Sequence, residues 1–343
     1  MQGRRHGPGY AAVACIFSLS SDILTLMIGV LLLNLGGPDS LAAVRPFLYN
    51  LFSDREIIRL GPAPLQKPIA GLISLLRSPK TRGFYSLIGG KSPLREITAA
   101  QAQALEASLR QVTDQPLKVY MGMRYWHPFT GETVEEMRKD GVTKVLALTL
   151  YPHYSIATTG SSVRHFRGIV SRYPMEIHCK ESWYNHPLYI DSLVEKIREG
   201  MAGFPERPAV LFSAHSLPQK FIDEGDPYER EIKGTIAAIT QRVDMDWSLS
   251  FQSKTGPVKW LEPSTECMLH ELAGKGVKNL LVVPISFVSD HIETLYEIDI
   301  LYGNMARGLG INMRRTESLN TSPVFINALT DLAVTDLKGL GWI

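Results

Sequence analysis

Cysteine is scarce in this 343-residue sequence, and its three cysteines lie far apart along the chain. Cys15, Cys179 and Cys267 form no CxxC pair, and no His/Cys cluster has the spacing of a zinc site. The sequence therefore indicates neither a disulfide framework nor a thiolate metal site. This pattern is typical of a protein in a reducing cytoplasm, which is the location we expect.

Strong charge of one sign is absent as well. Lys and Arg number 36 against 34 Asp and Glu, which gives a formal net charge of +2 at pH 7. There is no long Lys/Arg run, so a nucleic-acid partner is not indicated. The sequence also lacks a G-x-S-x-G elbow and a P-loop, so nothing points to a serine nucleophile or a phosphate cradle of those kinds.

A long apolar run is also missing. Near the N-terminus, Arg4 and Arg5 precede an apolar stretch that superficially resembles a signal peptide. Ser18 and Asp22 interrupt it, however, so no 18-residue membrane span exists there. We favour translation from Met27 over a working export signal, and we treat residues 1–26 as an extension outside the fold.

Short apolar runs followed by turn residues predict eight strands. They cover residues 29–35, 117–121, 144–150 and 175–178 in the first half and 209–213, 249–252, 279–284 and 311–315 in the second. Amphipathic stretches at 101–111, 133–139, 187–201, 228–242 and 265–272 predict helices between them. Because strands that alternate with helices form parallel sheets covered on both faces, we predict an α/β fold of two similar, doubly wound lobes.

The boundary between the lobes is predicted where Gly203, Pro205 and Pro208 interrupt the chain. The N-terminal lobe then covers residues 27–203 and the C-terminal lobe residues 204–343. We expect the last helix of the chain to pack back on the first lobe.

The two halves differ by a surplus segment at residues 46–98, which is too long for an ordinary crossover connection. It combines many Ile and Leu residues with Lys67, Arg77, Lys80 and Arg82. One interpretation is an extra core helix. The other is a lip that covers a flat apolar ligand and rests on a membrane surface.

Histidines, tyrosines and carboxylates gather just after the predicted strands. In open parallel sheets, ligands bind outside the carboxyl ends of the strands. His215 directly follows an apolar strand and is the leading candidate for a proton acceptor or metal ligand. Taken alone, it could equally be a structural histidine that binds a nearby backbone group.

Six strings of residues, in order along most of the chain, resemble the motifs of the ferrochelatase family. They are LNLGGP from Leu33, YP at Tyr151 with TTGSS from Thr158, SAHSLP from Ser213, GDPY from Gly225, QSK from Gln252 with WL at Trp260, and SDHIETLYE from Ser289. The resemblance implies two α/β lobes around a porphyrin cleft. It also implies an enzyme that inserts Fe²⁺ into protoporphyrin IX to form protohaem and releases two protons.

Glu293 and Glu297 are four residues apart on a predicted helix, so they share one face, and Asp290 lies three residues before Glu293. One interpretation is structural, because Asp290 and Glu293 have the spacing of a capping box and acidic residues are favoured at a helix start. The resemblance implies that His215 and Glu293 are catalytic and that both bind the Fe²⁺ substrate. Asp290 and Glu297 are further candidates for guiding Fe²⁺ or protons.

Ring binding by aromatic, apolar and basic residues is also implied by the resemblance. The positions that match are Leu32, Leu33, Arg77, Lys80, Tyr85, Ser92, Arg124, Tyr125, Tyr154 and Trp260. Arg, Lys and Ser can donate hydrogen bonds to the propionates. The alternative is a place in the core, which is the stronger interpretation for the two leucines, or a solvated surface for the basic residues.

Two positions depart from the family pattern. Many relatives carry a third carboxylate where this chain has Leu301, so an acidic path is expected to be shorter here. Ile156 stands where some relatives have a cysteine for an iron–sulfur cluster, and the chain ends at Ile343 without a cysteine tail. We therefore expect no iron–sulfur cluster and no resident cofactor.

Alternative functions remain open at this point. The substrate could be coproporphyrin III or a cobalt-accepting precorrin-type ring, or the protein could be a non-catalytic tetrapyrrole carrier. The presence of His215 and Glu293 argues against a carrier, and the residues around Gln252 and Trp260 favour protoporphyrin as the substrate. We expect a monomer or homodimer with possible peripheral membrane contact through the lip.

Overall fold

The computed structural model of the chain describes residues 27–254, 256 and 258–343. The predicted N-terminal extension, residues 1–26, lies outside the described residues. Two four-stranded parallel sheets form the centre of the molecule. All eight predicted strands are present, and the predicted fold class is confirmed.

The first sheet has the strand order β2-β1-β3-β4 and the second the order β6-β5-β7-β8, so the two repeat one topology. Strand bounds are β1 (Met27–Asn34), β2 (Leu117–Met123), β3 (Val142–Thr149), β4 (Glu176–Lys180), β5 (Ala209–His215), β6 (Trp247–Gln252), β7 (Asn279–Pro284) and β8 (Asn312–Arg315). The central strands are near-continuous apolar runs because helices cover both of their faces.

Helices flank both sheets and carry much of the apolar core. The α-helices are α1 (Val44–Ser53), α2 (Gln66–Ser86), α3 (Leu94–Leu109), α4 (Thr130–Lys139), α5 (Ser161–Val170), α6 (Pro187–Ala202), α7 (Gln219–Asp223), α8 (Tyr228–Thr240), α9 (Thr265–Gly274), α10 (Gly303–Gly308) and α11 (Pro323–Gly339). Two π-helices, Ile156–Gly160 and Glu293–Tyr302, precede α5 and α10.

One large apolar cluster joins the two sheets. Val30 and Leu148 of the first sheet, Phe212 of the second and Phe325 of α11 all belong to it. Helix α11 packs against α3 and α6 of the first half of the chain, as expected for the last helix. The predicted boundary falls in the loop between α6 and β5, but the apolar core continues across it.

The surplus segment folds as α1, a short 3₁₀ turn (Ala63–Leu65) and α2. Its buried residues form a small separate cluster with Tyr125 rather than part of the main core. Helix α2 leaves Leu72, Leu75 and Leu76 between 48% and 69% exposed. The segment is therefore amphipathic and lies outside the main core.

Candidate active site

His215 is the last residue of β5, at the carboxyl end of the second sheet. Its Nδ1 lies 2.7 Å from Oε2 of Glu293. Two hydroxyl groups fix its backbone, because its N–H donates to Ser286 Oγ and its carbonyl accepts from Tyr228 Oη. About a third of the His215 side chain is exposed, so the ring can reach a ligand.

Glu293 and Glu297 lie together on the π-helix and are joined by a residue of the opposite loop. The Ser253 hydroxyl donates to Oε2 of Glu293 at 2.8 Å and also binds Oε2 of Glu297. The Ser253 backbone N–H donates to Oε1 of Glu297 at 2.8 Å. Ser253 has φ +67°, an unusual backbone conformation for a non-glycine residue, which indicates that the surrounding structure holds it in place.

Charge couples these three groups. Burial alone would lower the pKa of His215, but the negative charge of Glu293 and its hydrogen bond raise it above the ordinary histidine value. Burial opposes ionisation of Glu293, yet the charge of His215 and their hydrogen bond lower its pKa to about 2. Burial, and then the charge of Glu293, raise the pKa of Glu297. The charge of Glu293 therefore favours the imidazolium once His215 has taken up a proton, and the raised pKa of Glu297 lets that carboxylate take up a proton more readily than usual.

Two further side chains complete this group. Gln252 Nε2 lies 3.5 Å from one carboxylate oxygen of each glutamate. His291 Nδ1 is 3.1 Å from the Ser289 carbonyl, and its Nε2 lies 3.9 Å from Oε1 of Glu293. Within residues 27–254, 256 and 258–343, no group of three His, Cys, Asp or Glu side chains is arranged to hold a metal ion.

The π-helix places Tyr302, rather than Leu301, next to Glu297. Its hydrogen bonds join residues i and i+5, which widens each turn. Leu301 is 43% exposed, whereas the Tyr302 hydroxyl donates to Oε1 of Glu297 at 3.0 Å. A tyrosine, not a third carboxylate, thus follows Glu297.

Asp290 has hydrogen-bond partners of its own. Its carboxylate accepts hydrogen bonds from Thr294, Ser318 and Asn320 and lies 3.1 Å from Arg315 Nη1. These partners, with the charge of Arg315, outweigh burial and lower its pKa. The carboxylate is therefore bound to Arg315 and its neighbours rather than to His215 or Glu293, and a role in guiding Fe²⁺ stays a prediction. The alternative capping box is not formed, because the Glu293 carboxylate binds His215 and Ser253 instead.

Arg124 and Tyr125 meet in a buried polar cluster of the first half of the chain. Oδ2 of Asp54 accepts from Arg124 at 2.8 Å, from the Tyr125 hydroxyl at 2.6 Å and from the Ser161 hydroxyl at 2.6 Å. Asp54 is only 8% exposed, and these donors lower its pKa against the effect of burial. No local sequence pattern points to Asp54, which lies 70 residues from its arginine.

The lip contacts the acidic π-helix directly. The rings of Phe84, on α2, and Tyr296 stack with centroids 4.1 Å apart. Burial, and then the charge of Glu293, raise the pKa of the neighbouring Tyr85. Arg77 and Lys80, on the same helix, remain exposed, with their charged groups over the rings of Phe52 and Phe84.

Five of the predicted ring-binding residues are buried: Tyr85 and Tyr125 are 3% and 1% exposed, and the others are Leu32, Leu33 and Ser92. Leu32 and Leu33, in β1, are at most 1% exposed and pack into apolar clusters on opposite faces of the sheet. Ser92 is 3% exposed, packs against Gly37 and accepts a hydrogen bond from the N–H of Leu94 at the start of α3. None of these last three side chains presents a surface to a ligand, because each completes the packing of its own element.

The other two aromatic candidates are only partly buried. The Trp260 backbone pairs with that of Pro218, close in sequence to His215, and its buried Nε1 has no hydrogen-bond partner among the residues that the structure describes. Tyr154 lies in the loop that follows β3 and is half-buried. Both side chains therefore retain surface that a ligand could contact.

Comparison with known proteins gives consistent matches. The profile of the family described as ferrochelatase matches residues 27–337. A protein of Geotalea uraniireducens named ferrochelatase is 54% identical over 88% of this chain and 96% of its own length. One from a Picosynechococcus strain, also named ferrochelatase, is 50% identical over 91% of this chain and 83% of its own.

Solved structures share the architecture at low sequence identity. SirB from Bacillus subtilis with Fe³⁺ aligns with a TM-score of 0.55 and 13% identity, over 92% of this chain and 98% of that one. The sirohydrochlorin chelatase SirB from Bacillus subtilis subspecies spizizenii in complex with cobalt gives 0.52 and 13%, over 88% and 92%. At this identity the likeness supports the fold alone.

Proposed function

Since this chain belongs to the ferrochelatase family, we propose that it inserts Fe²⁺ into protoporphyrin IX and releases the two pyrrole protons. The observation that carries the proposal is the pairing of His215 Nδ1 with Glu293 at 2.7 Å, beside Ser253 and Glu297. Metal insertion requires a base for the pyrrole protons, a route for those protons and ligands for the arriving cation.

His215 supplies the base in this mechanism. Neutral His215 donates its Nδ1 hydrogen to Glu293, which leaves the Nε2 lone pair free for a pyrrole proton. Glu293 then stabilises the imidazolium that forms. Because no covalent bond between the protein and the porphyrin is required, the lack of a nucleophile motif fits this chemistry.

The proton leaves His215 through the hydrogen-bonded groups behind it. Ser253 connects the Glu293 carboxylate to that of Glu297, which takes up a proton more readily because burial and the charge of Glu293 raise its pKa. The imidazole and carboxylate are also ligand types that Fe²⁺ accepts. His215 and Glu293 therefore serve the metal and the proton in turn.

Protoporphyrin and coproporphyrin differ in the number of carboxylates that the protein must bind. The exposed cations Arg77 and Lys80 on α2 are our proposed partners for propionates, while Tyr154 and Trp260 offer aromatic surface to the ring. Anaerobic incubation of the purified protein with Fe²⁺ and each porphyrin, followed by absorbance, tests the substrate. We expect faster metallation of protoporphyrin IX; preference for coproporphyrin III would establish the alternative.

We also propose that α2 rests on an anionic lipid surface. Leu72 and Leu76 are 58% and 69% exposed, and Arg77 and Lys80 lie beside them on the same helix. No helix in the described part of the chain is long and apolar enough to cross a membrane. The contact would therefore be peripheral, and it would place the cleft beside the phase in which an apolar porphyrin dissolves.

Flotation with vesicles of anionic phospholipid tests the lipid contact. Replacing both Leu72 and Leu76 by Ser should weaken binding by about tenfold or more, because each buried leucine contributes on the order of 1.5–3 kcal/mol. Val112→Ser, at a similarly exposed position after α3, should leave flotation unchanged. Equal flotation of all three proteins would contradict the proposal.

The lack of an iron–sulfur cluster stays a prediction. It rests on Ile156, which stands where some members of the family have a cysteine. Anaerobically purified protein should show no visible absorbance or electron paramagnetic signal of a cluster, and detection of either would overturn it.

A further inference from the structure

The start of helix α8 contacts two separate regions of the proposed cleft. Asp226, just before the helix, binds the loop that follows β3 in the first half of the chain. Tyr228, the first residue of the helix, binds the residue that carries the catalytic imidazole. The two are linked directly, since the Tyr228 N–H donates to Oδ1 of Asp226 at 3.0 Å.

The loop after β3 is attached to Asp226 through a single carboxylate oxygen. Oδ2 accepts from the Ser155 hydroxyl at 2.9 Å and from the Ile156 N–H at 2.7 Å. Asp226 is 4% exposed and Ser155 is fully buried, so no solvent competes for these bonds. The same loop carries Tyr154, one of the residues proposed to contact the ring.

A second carboxylate of the helix reinforces this attachment. Glu231 Oε2 accepts from the Tyr154 N–H at 2.7 Å and from the Ser182 hydroxyl at 2.8 Å. Thr235, one turn further along, lies 2.9 Å from Nε2 of His153. Glu231 and Thr235 of α8 therefore hold the loop residues Tyr154 and His153 in fixed positions along the helix.

On the other side, the Tyr228 hydroxyl donates to the His215 carbonyl at 3.0 Å. These hydrogen bonds connect the Tyr154 backbone to the His215 backbone through the start of α8. They therefore determine the distance between the two. Any ligand that touches Tyr154 and reacts at His215 requires that distance to be correct, because a misplacement of about 1 Å can cost two orders of magnitude in rate.

We propose that Asp226 is a positioning residue that, together with Tyr228, sets the spacing between the ring-binding loop and His215. The inference rests on the proposed function, since the spacing matters only if a ring lies between these groups. Oδ2 of Asp226 accepts two hydrogen bonds and Oδ1 accepts a third. This arrangement requires the two acceptor oxygens of a carboxylate. An amide at this position has one acceptor oxygen, so it must release either the loop or the start of the helix.

Asp226→Asn tests the inference in steady-state kinetics with Fe²⁺ and protoporphyrin IX, together with porphyrin binding by fluorescence quenching. We expect the KM and the dissociation constant for the porphyrin to rise about fivefold or more. The KM for Fe²⁺ and the pH at which activity reaches half its maximum should stay unchanged, because the pair of His215 and Glu293 is left intact.

A double-mutant cycle with Tyr228→Phe separates positioning from simple weakening of the fold. If the two residues act through one connection, the double variant loses less in kcat/KM than the product of the two single losses. Ser322→Ala, which removes the cap of α11, controls for lower stability and should keep wild-type kinetics. Ser155→Ala provides a milder variant that should raise the porphyrin KM in the same direction if Asp226→Asn fails to fold.

A wild-type porphyrin KM in Asp226→Asn, or independent multiplicative losses in the cycle, would overturn the inference. Failure of the wild-type protein to metallate either porphyrin would overturn the proposed function instead. The fluorescence measurement would still report on Asp226 in that case.

Discussion

At the scale of single residues, the ionisation of His215 is decided by two opposing effects. Burial favours the neutral ring, whereas the charge of Glu293 at 2.7 Å favours the imidazolium and prevails. Because only the neutral ring can accept a pyrrole proton, a raised pKa makes activity increase with pH through the pKa of His215. The acidic side of the pH profile of kcat/KM should report this group.

Replacing Glu293 by Gln should move that acidic limb to lower pH. Without the carboxylate charge, the effect of burial dominates and the pKa of His215 falls, so the neutral ring is present at lower pH. The maximum rate should fall as well, since the imidazolium loses its counter-charge. Glu297→Gln is the control, and its shift should be smaller because Glu297 affects His215 less than Glu293 does. An unshifted limb in Glu293→Gln would contradict this role.

For His153, in contrast to His215, the effect of burial on the pKa prevails. This leads to a prediction about stability. It is 2% exposed, and burial lowers its pKa to about 3. The Thr235 hydroxyl donates to the Tyr184 carbonyl, so the ring donates from Nε2, and burial keeps the ring neutral in the fold. The unfolded chain binds a proton below the ordinary pKa of about 6.5 and the folded chain does not, so stability falls as pH falls through this window.

Between pH 7 and pH 5 this one histidine should account for about 2 kcal/mol of lost unfolding free energy. His153→Gln retains a donor for Thr235 and removes the titration. Urea unfolding at the two pH values should therefore show a smaller loss for the variant than for the wild type. An equal loss would mean that His153 is protonated in the folded protein.

Some site residues could be predicted from the sequence and others could not. His215 and Glu293 stand in ordered motifs, so the family pattern identified them before any geometry was known. Asp54 depends on a contact across 70 residues, and Ser253 on a backbone conformation with φ +67°, neither of which has a local signal. For Leu32 and Leu33 the resemblance implies ring binding, whereas their apolar strand favours the core, and the core is where they lie.

At the scale of elements, the π-helix Glu293–Tyr302 is the part that the sequence pattern could not specify. Apolar spacing predicts a helix there, but it does not distinguish hydrogen bonds of the i+4 and i+5 types. Arg315 of β8 binds this helix from outside, through two bonds to Asp299 at 2.8 and 3.0 Å and a contact of 3.1 Å with Asp290. The arginine thereby connects Asp290, just before the π-helix, to Asp299 in the middle of that helix.

Arg315→Gln should cost about 3 kcal/mol of unfolding free energy, because removal of one partner leaves a largely buried carboxylate uncompensated. The Arg315 side chain is only 10% exposed. Arg164→Gln, which breaks an exposed ion pair with Glu56, should cost less than about 1 kcal/mol. Chemical denaturation of both variants gives the comparison, and similar losses would contradict the assigned role of Arg315.

At the scale of the whole molecule, the two sheets repeat one topology but share an apolar core. The eight strands and the fold class followed from the sequence because strand and helix patterns alternate clearly. The continuity of the core across the predicted boundary did not, since it depends on α11 packing against helices from the first half. The side chain of Gln101, on α3, adds polar ties by donating to Ser289 and to the Asn320 carbonyl.

This shared core predicts that the two halves unfold together. Calorimetry should show one transition, and its midpoint should coincide with the loss of helical circular dichroism. Two separate transitions would indicate that the contacts of α11 contribute little and that the lobes are independent units.

The rate of iron insertion by His215→Ala shows whether His215 accepts the pyrrole proton. The measurement is anaerobic formation of protohaem from Fe²⁺ and protoporphyrin IX, with porphyrin binding followed in parallel by fluorescence. We predict a loss of about 10²-fold or more in rate, the usual contribution of a positioned base, with porphyrin binding preserved. Iron insertion by the variant at an undiminished rate would contradict the account.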